Sequence, residues 1–226
     1  MIMSTDPISM YSRVLADPVG ALGTDSVTRS LDVLYGTVMG LRARGLHAWM
    51  YSGAYRVPAP TLTGDIARDL VLVEPVIGVG EVAVSDRRSS QPTVSELRRL
   101  GADVALGGVI SGKRGTVLVH VGDGPAGLGP VLETLDGSDL ATDLFLPTHV
   151  NRSTALLTQA AAYTRRGGYA DITVSTTPEL VAAGDIPALE AFEAALEQGA
   201  NPERLTWDNY CALPKIFTQA ARVGWD

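Results

Sequence analysis

The chain has 226 residues, of which 46% are hydrophobic and 19% charged, and a formal net charge of −7. That balance belongs to a globular protein with a sizeable core and excludes general disorder, and scattered basic residues on a negative chain leave no electrostatic footprint for nucleic acid. The single cysteine, Cys211, excludes an internal disulfide framework and any cysteine-rich zinc module, in keeping with a reducing cytoplasm.

The N-terminal stretch carries Asp6 and Pro7 early and lacks the basic start and apolar run of a secretory signal. No stretch approaches the roughly 18 apolar residues of a membrane span, so a soluble cytoplasmic protein without a membrane partner is expected. Ser26-Val27-Thr28 then predicts the opening of a helix whose apolar face includes Val33, Leu34, Val38 and Leu41, closed by Gly45. From there onward, short β-branched runs alternate with longer stretches of helical spacing, the signature of βα units and a parallel sheet. Strands are predicted at Leu46–Met50, Val76–Val84, Thr116–Val121, Leu144–Pro147 and Tyr169–Val174. Ser153 to Arg166 predicts a helix stopped by Gly167-Gly168. Pro187 sits in the first turn of another, with Leu189, Phe192 and Leu196 at i, i+3 and i+7 and Gly199 ending it.

Parallel strands joined by helical crossovers suit either a (β/α) barrel or an open doubly wound sheet, and periodicity does not choose between them. Nothing in the sequence marks a linker, so residues 1–226 are read as one unit. A full eight-fold barrel takes about 250 residues, which leaves a barrel here short by about one unit.

Three polar residues lie where predicted strands end: Glu81, His120 and His149. In a parallel barrel such ends converge on one mouth, and two imidazoles with a carboxylate form a recognised zinc set. The competing reading is structural, a hydrogen-bonded histidine at each strand end and a glutamate paired with an arginine; spacing alone leaves both open. His47, inside a strand-like segment, is read as structural. Gly122 to Gly127 satisfies G-x-G-x-x-G between a strand and a helix, the dinucleotide fingerprint, but Asp123 would set a carboxylate beside the phosphates and the next strand ends without the expected acidic residue. There is no G-x-S-x-G elbow or H-E-x-x-H, so a hydrolase would draw its nucleophile from metal-activated water.

Five segments carry a more specific signal: LGTDS (22–26), AWMYSGAYRVP (48–58), VIGVGEVAVSDRRSSQPT (76–93), VLVHVGDG (117–124) and LPTHVNR (146–152). In this order and with these gaps the sequence resembles the β-aspartyl (isoaspartyl) dipeptidases of the amidohydrolase superfamily, from about residue 22 to about residue 206. The resemblance implies an α/β fold, an incomplete (β/α)8 TIM-type barrel of the metal-dependent hydrolase kind. It implies Zn2+ as cofactor, with Glu81, His120 and His149 as metal ligands. It places Thr24, Tyr55, Arg88 and Arg152 at substrate-contacting positions for a small acidic dipeptide, with Tyr55 also polarising the scissile carbonyl. These roles have physical sense, because an arginine fork grips a carboxylate bidentately and a phenol can donate to a carbonyl oxygen as charge develops on it.

The chain also departs from the pattern. The family's His-x-His motif has no counterpart, nor do the N-terminal β-sandwich and the first barrel strand, and residues 1–21 and 207–226 diverge. Asp208 lies near the family's strand-eight catalytic aspartate but out of register. Trp207, Cys211 and Trp225 are read as a replacement tail, with Leu213, Ile216, Phe217 and Ala220 on one helix face. The missing ligands belong to one of two metals, so one zinc ion is expected, with activity weak or lost; the alternative is an inactive remnant that binds a small acidic ligand. Strand edges that a closed barrel would pair predict self-association, a homo-oligomer.

Overall fold

The computed structural model describes residues 18–208, and the predicted tail helix around Leu213 to Ala220 lies outside them. Seven strands and seven α-helices alternate along the described residues: β1 Val19–Gly20, α1 Leu31–Arg42, β2 Trp49–Ser52, α2 Ile66–Leu72, β3 Val76–Val84, α3 Val94–Ser111, β4 Val117–Val121, α4 Gly129–Leu135, β5 Phe145–Thr148, α5 Thr154–Arg165, β6 Ala170–Thr173, α6 Pro178–Ala182, α7 Ala188–Glu197 and β7 Leu205–Asp208. The chain divides into two compact units, Met1–Leu146 and Pro147–Asp226.

In the first unit β1 to β4 lie side by side in chain order, each parallel to the next. Parallel strands are buried on both faces, and β3 shows why the sequence reads as it does: Val76, Val79, Val82 and Ala83 are fully buried and Val84 nearly so. Its glycines serve close approach. A Cβ on Gly78 would stand 2.1 Å from the Thr116 carbonyl oxygen, and one on Gly80 2.6 Å from the Leu118 Cβ, so any side chain there would separate β3 from β4 and the residue before it. α3 is capped at its start by the reciprocal bonds of Thr93 and Glu96 and ends at Gly112 with φ 71. Lys113, just beyond, places its ammonium on three carbonyls, of Leu70 at 2.7 Å, Val73 at 3.1 Å and Val76 at 2.8 Å, closing the turn between α2 and β3.

In the second unit β6 pairs in parallel with β5, through Thr148 and Asp171, and with β7 from Ala170–Leu205 to Thr173–Asp208. Asp171 draws the three strands together by accepting from the Thr148 hydroxyl at 3.1 Å and the Thr206 hydroxyl at 2.5 Å.

Several expectations shift. The predicted first helix begins at Leu31, not at Ser26, because the Asp25 carboxylate accepts from the backbone of Val27 and Thr28 and holds that segment as a turn. Val33, expected on the apolar face, is 63% exposed, whereas Val38 of that face is buried and is joined by Leu31. The strand predicted at Leu46–Met50 runs Trp49–Ser52. Pro187 caps α7 rather than entering it, and the buried face of α7 is Ala191 and Ala195, with Leu189 67% exposed. Trp207 belongs to β7, where its ring packs 5.1 Å from that of Phe192.

Candidate metal and substrate site

Glu81 and His120 come from neighbouring strands of the first unit. The β3–β4 register runs Val79↔Val117 and then Val82↔Val119, so β3 carries one extra residue between these pairs. A bulge of this kind re-aims side chains near functional sites. Beyond it Ala83 lies opposite His120, while Glu81 falls within the irregular stretch, where regular alternation does not apply. Both are buried, Glu81 at 0% and His120 at 2% exposure, and Glu81 Oε1 lies 3.1 Å from His120 Nδ1.

Around this pair the first unit builds a compact polar network. Tyr55 Oη lies 2.6 Å from His120 Nδ1, and the two rings are tilted against each other with centroids 4.6 Å apart. The Tyr55 segment is pinned by its own carbonyl, which accepts from the Ala83 amide at 3.1 Å, and by the Val57 amide donating to the Ser90 hydroxyl at 2.9 Å. Upstream, buried Asp69 accepts from Ser52 on β2, from the Leu62 amide at 2.9 Å and from the Thr63 amide at 2.8 Å, which fixes the loop into α2.

On the other side of the imidazole, Asp86 Oδ2 lies 3.0 Å from His120 Nε2. Asp86 is gripped by Arg88 through the backbone amide at 2.7 Å, Nε at 2.9 Å and Nη2 at 2.5 Å. The Arg88 hydrogen bonds, above all from its side chain, hold the Asp86 carboxyl well below the usual carboxylate range, and the same bond pushes the Arg88 guanidinium above its ordinary value. Arg88 also lies over the Tyr55 ring, 5.6 Å from its centroid. Sequence reasoning missed Asp86, which stands in a Ser-Asp-Arg-Arg run that reads as a solvated loop although the aspartate is only 4% exposed.

In the second unit His149 follows β5 with a left-handed backbone, φ 66, and is 3% exposed. Strained, non-glycine conformations of this kind persist where the surroundings over-determine them, and Asn151 supplies that support. Its carboxamide donates to the carbonyls of Thr173 at 3.1 Å and Ile186 at 2.8 Å and accepts from the Thr173 amide at 2.9 Å. The Thr173 hydroxyl lies 2.6 Å from His149 Nδ1, which makes Nε2 the nitrogen with which His149 would bind an ion. Arg152 is partly buried, and its Nε is a buried donor without a hydrogen-bond partner among the described residues. Thr24 is exposed in the turn after β1, and Asp208 ends β7 opposite Thr173.

The donor set suits a divalent cation. Glu81 Oε1 and His120 Nδ1 lie 3.1 Å apart, and with the imidazole proton on Nε2 both are acceptors that a divalent cation could bridge. Two ligands of a tetrahedral zinc with bonds of about 2.0 Å stand about 3.3 Å apart, close to the separation observed. Glu81, His120 and His149 are all buried and each offers one atom able to bind a metal ion.

The glycine motif at 122–127 has a different explanation from a phosphate cradle. Gly122 N donates to the Val84 carbonyl, Gly124 N to that of Ser85 and Gly127 N to that of Gly124, so the amides of its three glycines are spent inside the protein. Cβ atoms at Gly122 and Gly124 would lie 2.4 Å and 2.5 Å from the Ser85 oxygen.

Parallel strands joined by helices, with Glu81 in β3, His120 near the end of β4 and His149 just after β5, define an α/β fold of the incomplete (β/α) barrel class. No protein-family model matches the chain. Solved structures do, among them two of the beta-aspartyl dipeptidase from the thermophilic, keratin-degrading Fervidobacterium islandicum AW-1. The one in complex with a beta-Asp-Leu dipeptide matches with TM-score 0.79 and 41% identity, covering 86% of this chain and 50% of that one. The other gives TM-score 0.81 and 40% identity, covering 89% and 53%. The chain is thus a relative of the β-aspartyl dipeptidases, a family of hydrolases, and spans about half the length of the relatives it matches.

Proposed function

We propose that Glu81, His120 and His149 together hold one zinc ion and that this site hydrolyses β-aspartyl dipeptides, with modest turnover, in the cytoplasm. The observation that carries the reading is the buried Glu81–His120 pair, with Oε1 and Nδ1 3.1 Å apart, at positions where the chain is similar to dipeptidases. A bound zinc would supply hydroxide at neutral pH, since a catalytic zinc lowers the pKa of its water to about 7.

The other roles fall to this chain's own side chains. Arg152, whose buried Nε has no partner among the described residues, and Arg88, half exposed with Nε and Nη2 on Asp86 and Nη1 left to face substrate, contact the carboxylates of an acidic dipeptide, guanidinium–carboxylate pairs being among the stronger hydrogen bonds. Thr24 adds a hydroxyl contact. Tyr55 donates its hydroxyl to the carbonyl oxygen of the scissile bond, where negative charge develops. Asp208, at the end of β7, is the nearest candidate in sequence for the base that moves a proton to the leaving amine, a contribution worth about 10²–10⁴-fold. With no His-x-His pair among its three histidines, the chain alone furnishes the ligands of one zinc. No helix among the described residues is long and apolar enough to cross a membrane.

The test is release of leucine from β-Asp-Leu by zinc-loaded protein. Turnover above the blank that disappears in Glu81→Ala supports the reading. No release from well-folded, zinc-loaded protein overturns it and leaves the alternative, an inactive remnant that binds a small acidic ligand.

A further inference from the structure

We propose that Asp86 is the positioning residue for His120: it accepts the hydrogen bond of Nε2–H and thereby leaves the lone pair of Nδ1 toward Glu81, where a metal ion would sit. The inference rests on the metal reading above. His120 stands between two carboxylates, with Glu81 Oε1 3.1 Å from Nδ1 and Asp86 Oδ2 3.0 Å from Nε2. A neutral imidazole donates from one nitrogen and accepts at the other, so its surroundings decide which is which. Asp86 decides it, because three bonds from Arg88 hold both its oxygens as acceptors, and an acceptor beside Nε2 requires the proton there. Metal-bound histidines characteristically give their second N–H to such a partner, which fixes the ring and raises its basicity.

The surrounding backbone is shaped for this contact. A Cβ on Gly122 would stand 2.6 Å from the Asp86 Cβ and 2.7 Å from its Cα, so the glycine directly after β4 is what admits Asp86 to the edge of the imidazole. The Gln91 side chain donates to the Asp86 carbonyl at 2.8 Å, holding the same turn. The G-x-G pattern is thus accounted for by the seat of Asp86.

Two measurements on the full chain test the inference. Zinc affinity by competition titration is expected to fall about 10–100-fold in Asp86→Asn, the loss typical of removing such a partner, with circular dichroism unchanged. Long-range ¹H–¹⁵N correlation spectra of zinc-loaded wild-type protein, which has three histidines, are expected to show His120 protonated at Nε2 and coordinated at Nδ1. Equal affinity in Asp86→Asn, or zinc on Nε2 of His120, overturns the role of Asp86 while leaving the metal site standing. Failure of wild-type protein to bind zinc overturns the metal reading and this inference with it. The spectra decide the question even if the variant fails to fold.

Discussion

Tyr55 Oη lies 2.6 Å from His120 Nδ1, the nitrogen that also faces Glu81 at 3.1 Å. With the proton on Nε2, that nitrogen has one lone pair, and the phenol donates to it. A metal ion on Nδ1 must therefore displace the hydroxyl of Tyr55, which turns a structural donor into one available to substrate. Tyr55→Phe should consequently bind zinc more tightly, by about two- to tenfold from the roughly 0.5–1.5 kcal/mol of one hydrogen bond, while losing turnover. Competition titration beside a β-Asp-Leu assay reads both effects, and weaker zinc binding in Tyr55→Phe would contradict the assignment.

Asp86 also governs acid stability. Its carboxyl is held below the ordinary value by Arg88, so its contribution is fully present above the unfolded value of about 3.9 and is lost as pH falls through that value toward the folded one. The loss of stability of wild-type protein below about pH 4 should be steeper than that of Asp86→Asn, which has no such carboxylate to protonate. Urea denaturation at a series of pH values checks the difference; parallel curves would contradict it.

Gly122 and Gly124 admit no side chain, with a Cβ at either standing within 2.5 Å of the Ser85 oxygen. Alanine at Gly124 should destabilise by about 1–3 kcal/mol or more, the range for overpacking, measured by thermal or urea unfolding. Dinucleotides should leave the melting temperature of the wild-type protein unchanged, and a saturable rise would restore the nucleotide reading of this motif.

Lys113 closes three carbonyls with one ammonium. Lys113→Met keeps the stem and removes the donors, and should cost about 1.5–3 kcal/mol, the scale of hydrogen bonds to a charged group. A variant as stable as wild type would show that water replaces the ammonium without loss.

Much of this arrangement was legible in the residues. β3 and β4 were readable because buried parallel strands are runs of valine, and the places of His120 near the end of β4 and His149 just after β5 followed from such runs, whereas Glu81, expected at a strand end, lies inside β3. The aim of Glu81 was not, because the extra residue between Val79 and Val82 is a pairing property that a two-residue period does not encode. Asp86 was hidden by its charged neighbours Arg87 and Arg88, whose sequence looks solvated until Gly122 is seen to admit the backbone. The start of α1 shifted because the turn at Asp25 outcompetes helix at Val27 and Thr28. In α7 the leucine periodicity misled, since small Ala191 and Ala195 allow the closer packing and Leu189 is left outside.

The account stands most directly on metal content. Elemental analysis of the purified 226-residue chain should give about one zinc per chain, retained on dialysis against metal-free buffer and lost in Glu81→Ala and in His149→Ala, as expected where one ion needs all its ligands. Well-folded wild-type protein without zinc, or variants that keep it, would contradict the claim that Glu81, His120 and His149 form one metal site.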